Sequence, residues 1–188
     1  MTKSELFAAG SLLMQIFCRV NGLTAPPIIT RAAHEWPFAD ACAYYRPTRI
    51  EICVARCAPI GTAGPAWSYP GNTVDRTPYG VLQHELGHHA DIVKSGATRG
   101  YMSWFSADLR RASGEERLTS YCPNDGEWFA EMFRLFVTNP DLLEKLRPKT
   151  YRLIAEHFEP LDMGAWPEVL KHAPARTIEA AARKIGSL

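Results

Sequence analysis

The chain has no run of roughly 20 apolar residues, so no segment reads as a membrane-spanning helix. Its most apolar stretch near the start, Leu6 to Val20, is interrupted by Gln15 and Arg19. Glu5 precedes that stretch and no small-x-small cleavage site follows, so it does not read as a secretory leader. An excess of one charge is also missing. Twenty-one Lys and Arg stand against 20 Asp and Glu, a formal net charge of +1. Nothing in that balance calls for nucleic acid or an anionic membrane as partner. Cysteine is sparse and odd in number, five residues at Cys18, Cys42, Cys53, Cys57 and Cys122. Cys53 and Cys57 are four apart, but no second pair follows to complete a structural zinc site. The thiols are expected to be reduced, in a soluble cytoplasmic protein, leaving only a signal-independent route for export.

What is present is ordinary globular composition, 46% hydrophobic and 22% charged residues. A chain of 188 residues can bury roughly 70% of its unfolded surface and needs no metal merely to hold a core. One domain spanning residues 1–188 is expected, strand-rich over about 25–72 and helical over about 77–188. A first helix runs from about Ser4 to Val20, with Leu6, Leu13, Phe17 and Val20 on its packed face, and ends at Asn21-Gly22. Pro27 to Thr30 reads as a strand. Ala41 to Arg46 and Arg49 to Arg56 read as a hairpin, because Ile50-Glu51-Ile52 alternates as a half-buried strand does. The Gly- and Pro-rich stretch Ala58 to Asn72 is a loop, with a short edge strand at Trp67-Ser68-Tyr69.

Thr77-Pro78 then starts a helix that Ser95-Gly96 stops near Lys94. Further helices are expected over Met102 to Leu118 and from Asn124 to Asn139. Pro140 and Pro148 each open another, and Pro174 to Ile185 forms an amphipathic one. Strands first and helices afterwards make an α+β plan.

Three of the six histidines fall in Gln83-His84-Glu85-Leu86-Gly87-His88-His89. His84 and His88, four apart on a helix, present both imidazoles to one point, which suits zinc. Glu85 beside them can take a proton from an activated water. Gly87 costs about 1 kcal/mol in a helix against Ala, and close packing on a neighbour would explain it.

A catalytic zinc site usually has a third protein ligand. A metzincin would need Gly at 91 and His at 94, where this chain has Asp91 and Lys94. Asp91 is nearly on the ligand face, as a ligand itself or as a group that orients one from behind. Glu127 is the stronger candidate, on a helix that Phe129, Met132, Phe133 and Phe136 fix to the core. Glu131, one turn on, is placed to accept the other ring N–H of a ligand histidine. The plainer roles are a helix cap at Asn124 for Glu127 and a surface pair with Arg134 for Glu131.

His84-Glu85-Leu86-Gly87-His88, followed by Ser120-Tyr121 and Glu127-Trp128-Phe129-Ala130-Glu131-Met132-Phe133-Arg134-Leu135, resembles the catalytic domain of the anthrax lethal factor family of zinc metallopeptidases. The likeness continues through Pro148-Lys149-Thr150-Tyr151 and covers about residues 77 to 155, under half the chain. It implies a zincin-like fold of the gluzincin type: a small, mostly antiparallel or mixed sheet and an active-site helix, then a helical half. It implies one zinc per chain on His84, His88 and Glu127, with Glu85 as general base. It also implies Tyr121 beside the metal, hydrogen-bonding an oxyanion or protonating the leaving amine. The stretch from Tyr121 to Glu127 is one residue shorter than in lethal factor, and Cys122-Pro123 departs from the family's local sequence. Should Glu127 not be the third ligand, Asp91 or Cys122 is next in line.

The expected function is zinc-dependent hydrolysis of peptide bonds, with a protein or peptide substrate laid along an edge strand such as Trp67 to Tyr69. Two alternatives stay open: a catalytically silent or regulatory metal-binding module, and a zinc hydrolase of a non-peptide amide.

Overall fold

The structure, a computed structural model, describes residues 2–58, 75–96, 103–118 and 123–161. Helix α1 (Lys3–Val20) begins with a capping box in which Thr2 and Glu5 satisfy each other's backbone N–H groups. Its inward face is Leu6, Gly10, Leu13, Met14, Phe17 and Cys18, spaced at three and four residues. Val20, expected on that face, is instead 43% exposed, because the helix is already turning out at its Asn21 cap. A Cβ on Gly10 would stand 2.9 Å from the Tyr79 Cα, so glycine lets α1 close on the helix that follows the sheet.

Three short strands form one mixed sheet in the order β1-β3-β2: β1 (Ile28–Thr30), β2 (Ala43–Arg46) and β3 (Arg49–Ile52). β1 runs parallel to β3, and β2 pairs with β3 as an antiparallel hairpin. The alternation read from the sequence sorts the faces. Ile50 and Ile52 are fully buried, while Glu51 between them is ringed by Arg31, Arg46 and Arg49 on the far side of the sheet. The second hairpin strand is shorter than expected. It gives way after Ile52 to a 3-10 turn over Val54–Arg56.

Helix α2 (Pro78–Ser95) has its N-cap at Thr77, whose side chain accepts the Gly80 N–H, and closes on Gly96 at φ +61°. α3 (Trp104–Ser113) is shorter than the expected Met102 to Leu118, because Gly114 in the left-handed region terminates it. α4 (Asp125–Thr138) is buried from Trp128 to Thr138. α5 (Pro140–Leu146) and α6 (Pro148–Ala155) each start at the proline that announced them. The aromatic centre of the core joins α1, α4 and the end of α6, with Phe17 edge-on to Phe133 at 5.3 Å and Phe133 edge-on to Phe158 at 5.1 Å. Among the described residues no helix is long and apolar enough to cross a membrane. The expected strand Trp67 to Tyr69 and the expected helix Pro174 to Ile185 lie outside the described residues.

α2 and α4 meet at their backbones. A Cβ added to Gly87 would come within 2.7 Å of the Ala130 Cα, so α4 is the close neighbour that explains the glycine. In Gly87→Ala, helix propensity favours alanine by about 1 kcal/mol. Overpacking against a backbone that cannot yield costs about 1–3 kcal/mol. A lower Tm by thermal unfolding is the expected net result, because α2 and α4 are pushed apart.

Candidate metal centre

The close α2–α4 crossing sets His84 and His88 opposite Glu127. Glu127 Oε2 is 3.0 Å from His84 Nε2 and 3.4 Å from His88 Nε2. One ligand atom from each of the three residues lies within 4.8 Å of the others, a group able to hold a metal ion. A tetrahedral zinc with bonds of about 2.0–2.2 Å separates its ligand atoms by roughly 3.4 Å, close to these spacings. The donor set, two imidazole nitrogens and one carboxylate, is of the type zinc takes in hydrolytic sites. The residues fit such an ion, and no side chain need move far to receive it.

Glu127 reaches this place because of how α4 starts. The Asn124 side chain accepts the Glu127 N–H at 2.9 Å, so the capping arrangement seen in the sequence fixes the first turn from which Glu127 projects. Cap and metal-facing carboxylate are compatible roles of one segment.

Behind the ligands runs a buried chain of charge. His84 Nδ1 is 2.8 Å from Glu131 Oε1, which leaves Nε2 for the cation side. Glu131 in turn takes two bonds from Arg134, 3.2 Å from Nε and 3.0 Å from Nη2. The surface pair expected between these residues is thus a buried one, each side chain 1% exposed. Asp75 adds a further buried carboxylate near Arg134. Its Oδ1 accepts from the Thr77 N–H and hydroxyl, tying the start of α2 to the same chain. Burial pushes the Asp75 pKa up, against the pull of Arg134. Asp75, Tyr45 and His89 are parts of this region that the sequence does not mark by role, and Arg134 is expected from it only as a surface partner of Glu131. An arginine three residues after Glu131, inside an apolar helix face, is the signal that marks Arg134.

Glu85 lies beside the ligands, lining the same cleft and nearly buried. Burial raises its pKa, opposed by His84 and His88 and by the Tyr45 backbone N–H that faces the carboxylate. A raised pKa suits a carboxylate that must take and return a proton. The cleft, about 540 Å³, is bordered by Ala43, Tyr44 and Tyr45 of β2 on one side and by Asn124 to Glu127 on the other. β2 is at the end of the strand order among the described residues, so the sheet edge bordering the cleft is β2.

Asp91 lines the cleft but stands outside the ligand group. Its Oδ1 accepts from the Ser103 hydroxyl and, at 3.0 Å, from the Ser106 N–H, which fastens the start of α3. Cys18, Cys42, Cys53 and Cys57 are buried free thiols. Tyr121, with Ser120 and Cys122, lies outside the described residues.

The cluster's electrostatics predict a pH profile. Burial by itself would lower the His84 pKa, but hydrogen bonds to Glu127 and Glu131 outweigh it and raise the value to about 10 from 6.5. Burial works the other way on Glu131, yet Arg134 and His84 bring it down to about 2 from 4.5. Glu127 is likewise held well below the usual carboxylate range by the two histidines, despite burial. In chelator-treated protein the histidine contribution to stability is whole below pH 6.5 and lost as pH rises through about 10. The Glu131 contribution is whole above pH 4.5 and lost as pH falls through about 2. Denaturant titrations should therefore show the cluster contributing fully between those two unfolded values. A cation taken up here displaces the His84 proton, so its affinity should climb with pH up to about 10, as read by isothermal titration.

No protein-family model matches the chain, and a search of curated proteins finds no relative of it.

Proposed function

We propose that this protein is a zinc-dependent metallopeptidase of zincin-like fold, related to the lethal factor group whose motifs its sequence resembles. The observation that carries the reading is the convergence of His84 Nε2, His88 Nε2 and Glu127 Oε2 beside the buried carboxylate of Glu85. Zinc held by these three residues would supply a Lewis acid that polarises the scissile carbonyl and lowers the pKa of water.

The chain's own residues do the rest. An extended substrate lies along the outer edge of β2, whose backbone offers strand-type hydrogen bonds at the border of the cleft. β2 is the proposed substrate edge, Trp67 to Tyr69 lying outside the described residues. Glu85 accepts a proton from the attacking water and delivers it to the departing amine. Glu131 holds His84 in one tautomer and one orientation. Tyr121 is the proposed donor to the oxyanion. A pure metal-binding module has no use for a base at position 85, which favours hydrolysis over the regulatory reading.

The test is cleavage of a proteome-derived peptide mixture, read by mass spectrometry. Cleavage should vanish on chelation, return with zinc, and be absent in His84→Ala. Chelator-resistant cleavage, or a zinc-loaded protein that cuts no peptide while hydrolysing simple amides, contradicts the peptidase reading.

A further inference from the structure

The third histidine of the motif region, His89, takes no part in the ligand group. One residue after His88, it is turned about 100° round the helix from that ligand candidate. Its ring bridges two other parts of the fold. His89 Nε2 is 2.9 Å from the Thr24 carbonyl oxygen, in the segment that leads into β1. His89 Nδ1 is 3.0 Å from the Tyr45 hydroxyl, on β2. A carbonyl can only accept, so Nε2 carries the ring proton and the neutral ring's Nδ1 is left as an acceptor. The Tyr45 O–H therefore donates to Nδ1. The two rings also meet edge-on, with centroids 5.6 Å apart.

Tyr45 is the β2 residue whose backbone N–H faces the Glu85 carboxylate. Its side chain points to the core side of the sheet, where it is nearly buried. Tyr45 thus meets α2 through its phenol at His89, while its main chain lies on the Glu85 side of the same cleft. Residues 85 and 89 are four apart, one helical turn, so both contacts fall on the side of α2 that meets β2.

We propose that His89 is a positioning residue: by accepting the Tyr45 hydroxyl it clamps the edge strand β2 onto α2, and so holds the Tyr45 backbone N–H against the Glu85 carboxylate. This rests on Glu85 acting as the base of the proposed hydrolysis. It also sets the distance between β2, where a substrate strand would pair, and the ligand pair on α2. Nothing in it involves the metal ligands directly, so metal binding and base orientation are separable by mutation.

The experiment compares zinc-loaded parent protein with Tyr45→Phe, His89→Leu, His89→Gln and His89→Asn. Asn offers an acceptor oxygen where Nδ1 stood, whereas Gln can replace only the donor toward Thr24. All four should hold one zinc with affinity within about threefold of the parent. Tyr45→Phe, His89→Leu and His89→Gln should lose roughly 10- to 100-fold in kcat, the scale of a small misplacement of a catalytic group. His89→Asn should recover most of that loss, which a simple packing role would not produce. Independently of turnover, the amide resonance of residue 45 in a proton–nitrogen correlation spectrum should move in Glu85→Gln and move likewise in His89→Leu. The proposal is overturned if His89→Leu turns over peptides like the parent, or if that resonance is unmoved in both variants. A zinc-loaded parent that cleaves no peptide contradicts the peptidase reading, and the resonance then decides the clamp by itself.

Discussion

Replacing Glu85 with glutamine is expected to leave zinc at about one per chain and to lower peptide turnover by about 10²- to 10⁴-fold, the range lost with a general acid–base group. Glutamine has nearly the same shape and can still fill the space between the ligands and β2. It cannot take a proton from water. The proposed ligand atoms belong to His84, His88 and Glu127, and Glu85 is not part of that group. The measurement is single-turnover cleavage together with metal analysis of the same sample. Turnover like the parent's would remove Glu85 from the mechanism. Loss of zinc along with turnover would make it a ligand or a structural group instead.

A second large effect is expected far from any substrate. Arg134→Met should destabilise the protein by about 3–5 kcal/mol, the usual consequence of removing one partner of a buried ion pair. Arg134 and Glu131 are both about 1% exposed, and Glu131 holds His84. Methionine fills the volume but leaves Glu131 without its bidentate partner and Asp75 without the nearby cation. Two buried carboxylates then lose the cation that opposes the effect of burial on them. The change should appear as a lower midpoint in urea unfolding and as weaker zinc binding, because Glu131 no longer fixes the His84 ring. The double variant Arg134→Met, Glu131→Gln should regain part of the stability, since the uncompensated charge has gone. A single variant as stable as the parent would show that this charge chain does not support the site.

Much of this arrangement is legible in the residues one after another. Thr77-Pro78 and Ser95-Gly96 bound α2 because capping and termination are local chemistry. The four-residue spacing of His84 and His88 fixes their shared face because a helix has a fixed period. Gly87 announces a close neighbour, since nothing local explains a glycine there. Arg134 is harder to read. Three residues after Glu131, it has the spacing of a solvated surface pair, and only the packing of α4 against α2 shows that the pair is buried. Tyr45 and His89 are 44 residues apart, and no local pattern says that a given strand will border a given helix. Alternation marks β2 as a strand, but its place at the end of the strand order among the described residues follows from β1 choosing β3 as its parallel partner.

In the proposed centre one divalent cation is gripped by two imidazoles of α2 and one carboxylate of α4. Zinc K-edge absorption on the loaded protein, with metal content measured on the parent and on Glu127→Ala, tests it most directly. The expected spectrum has two imidazole nitrogens and oxygen donors at about 2.0–2.2 Å, with no sulfur at about 2.3 Å. Glu127→Ala should bind zinc far more weakly. A sulfur scatterer, or undiminished affinity without Glu127, would contradict the account.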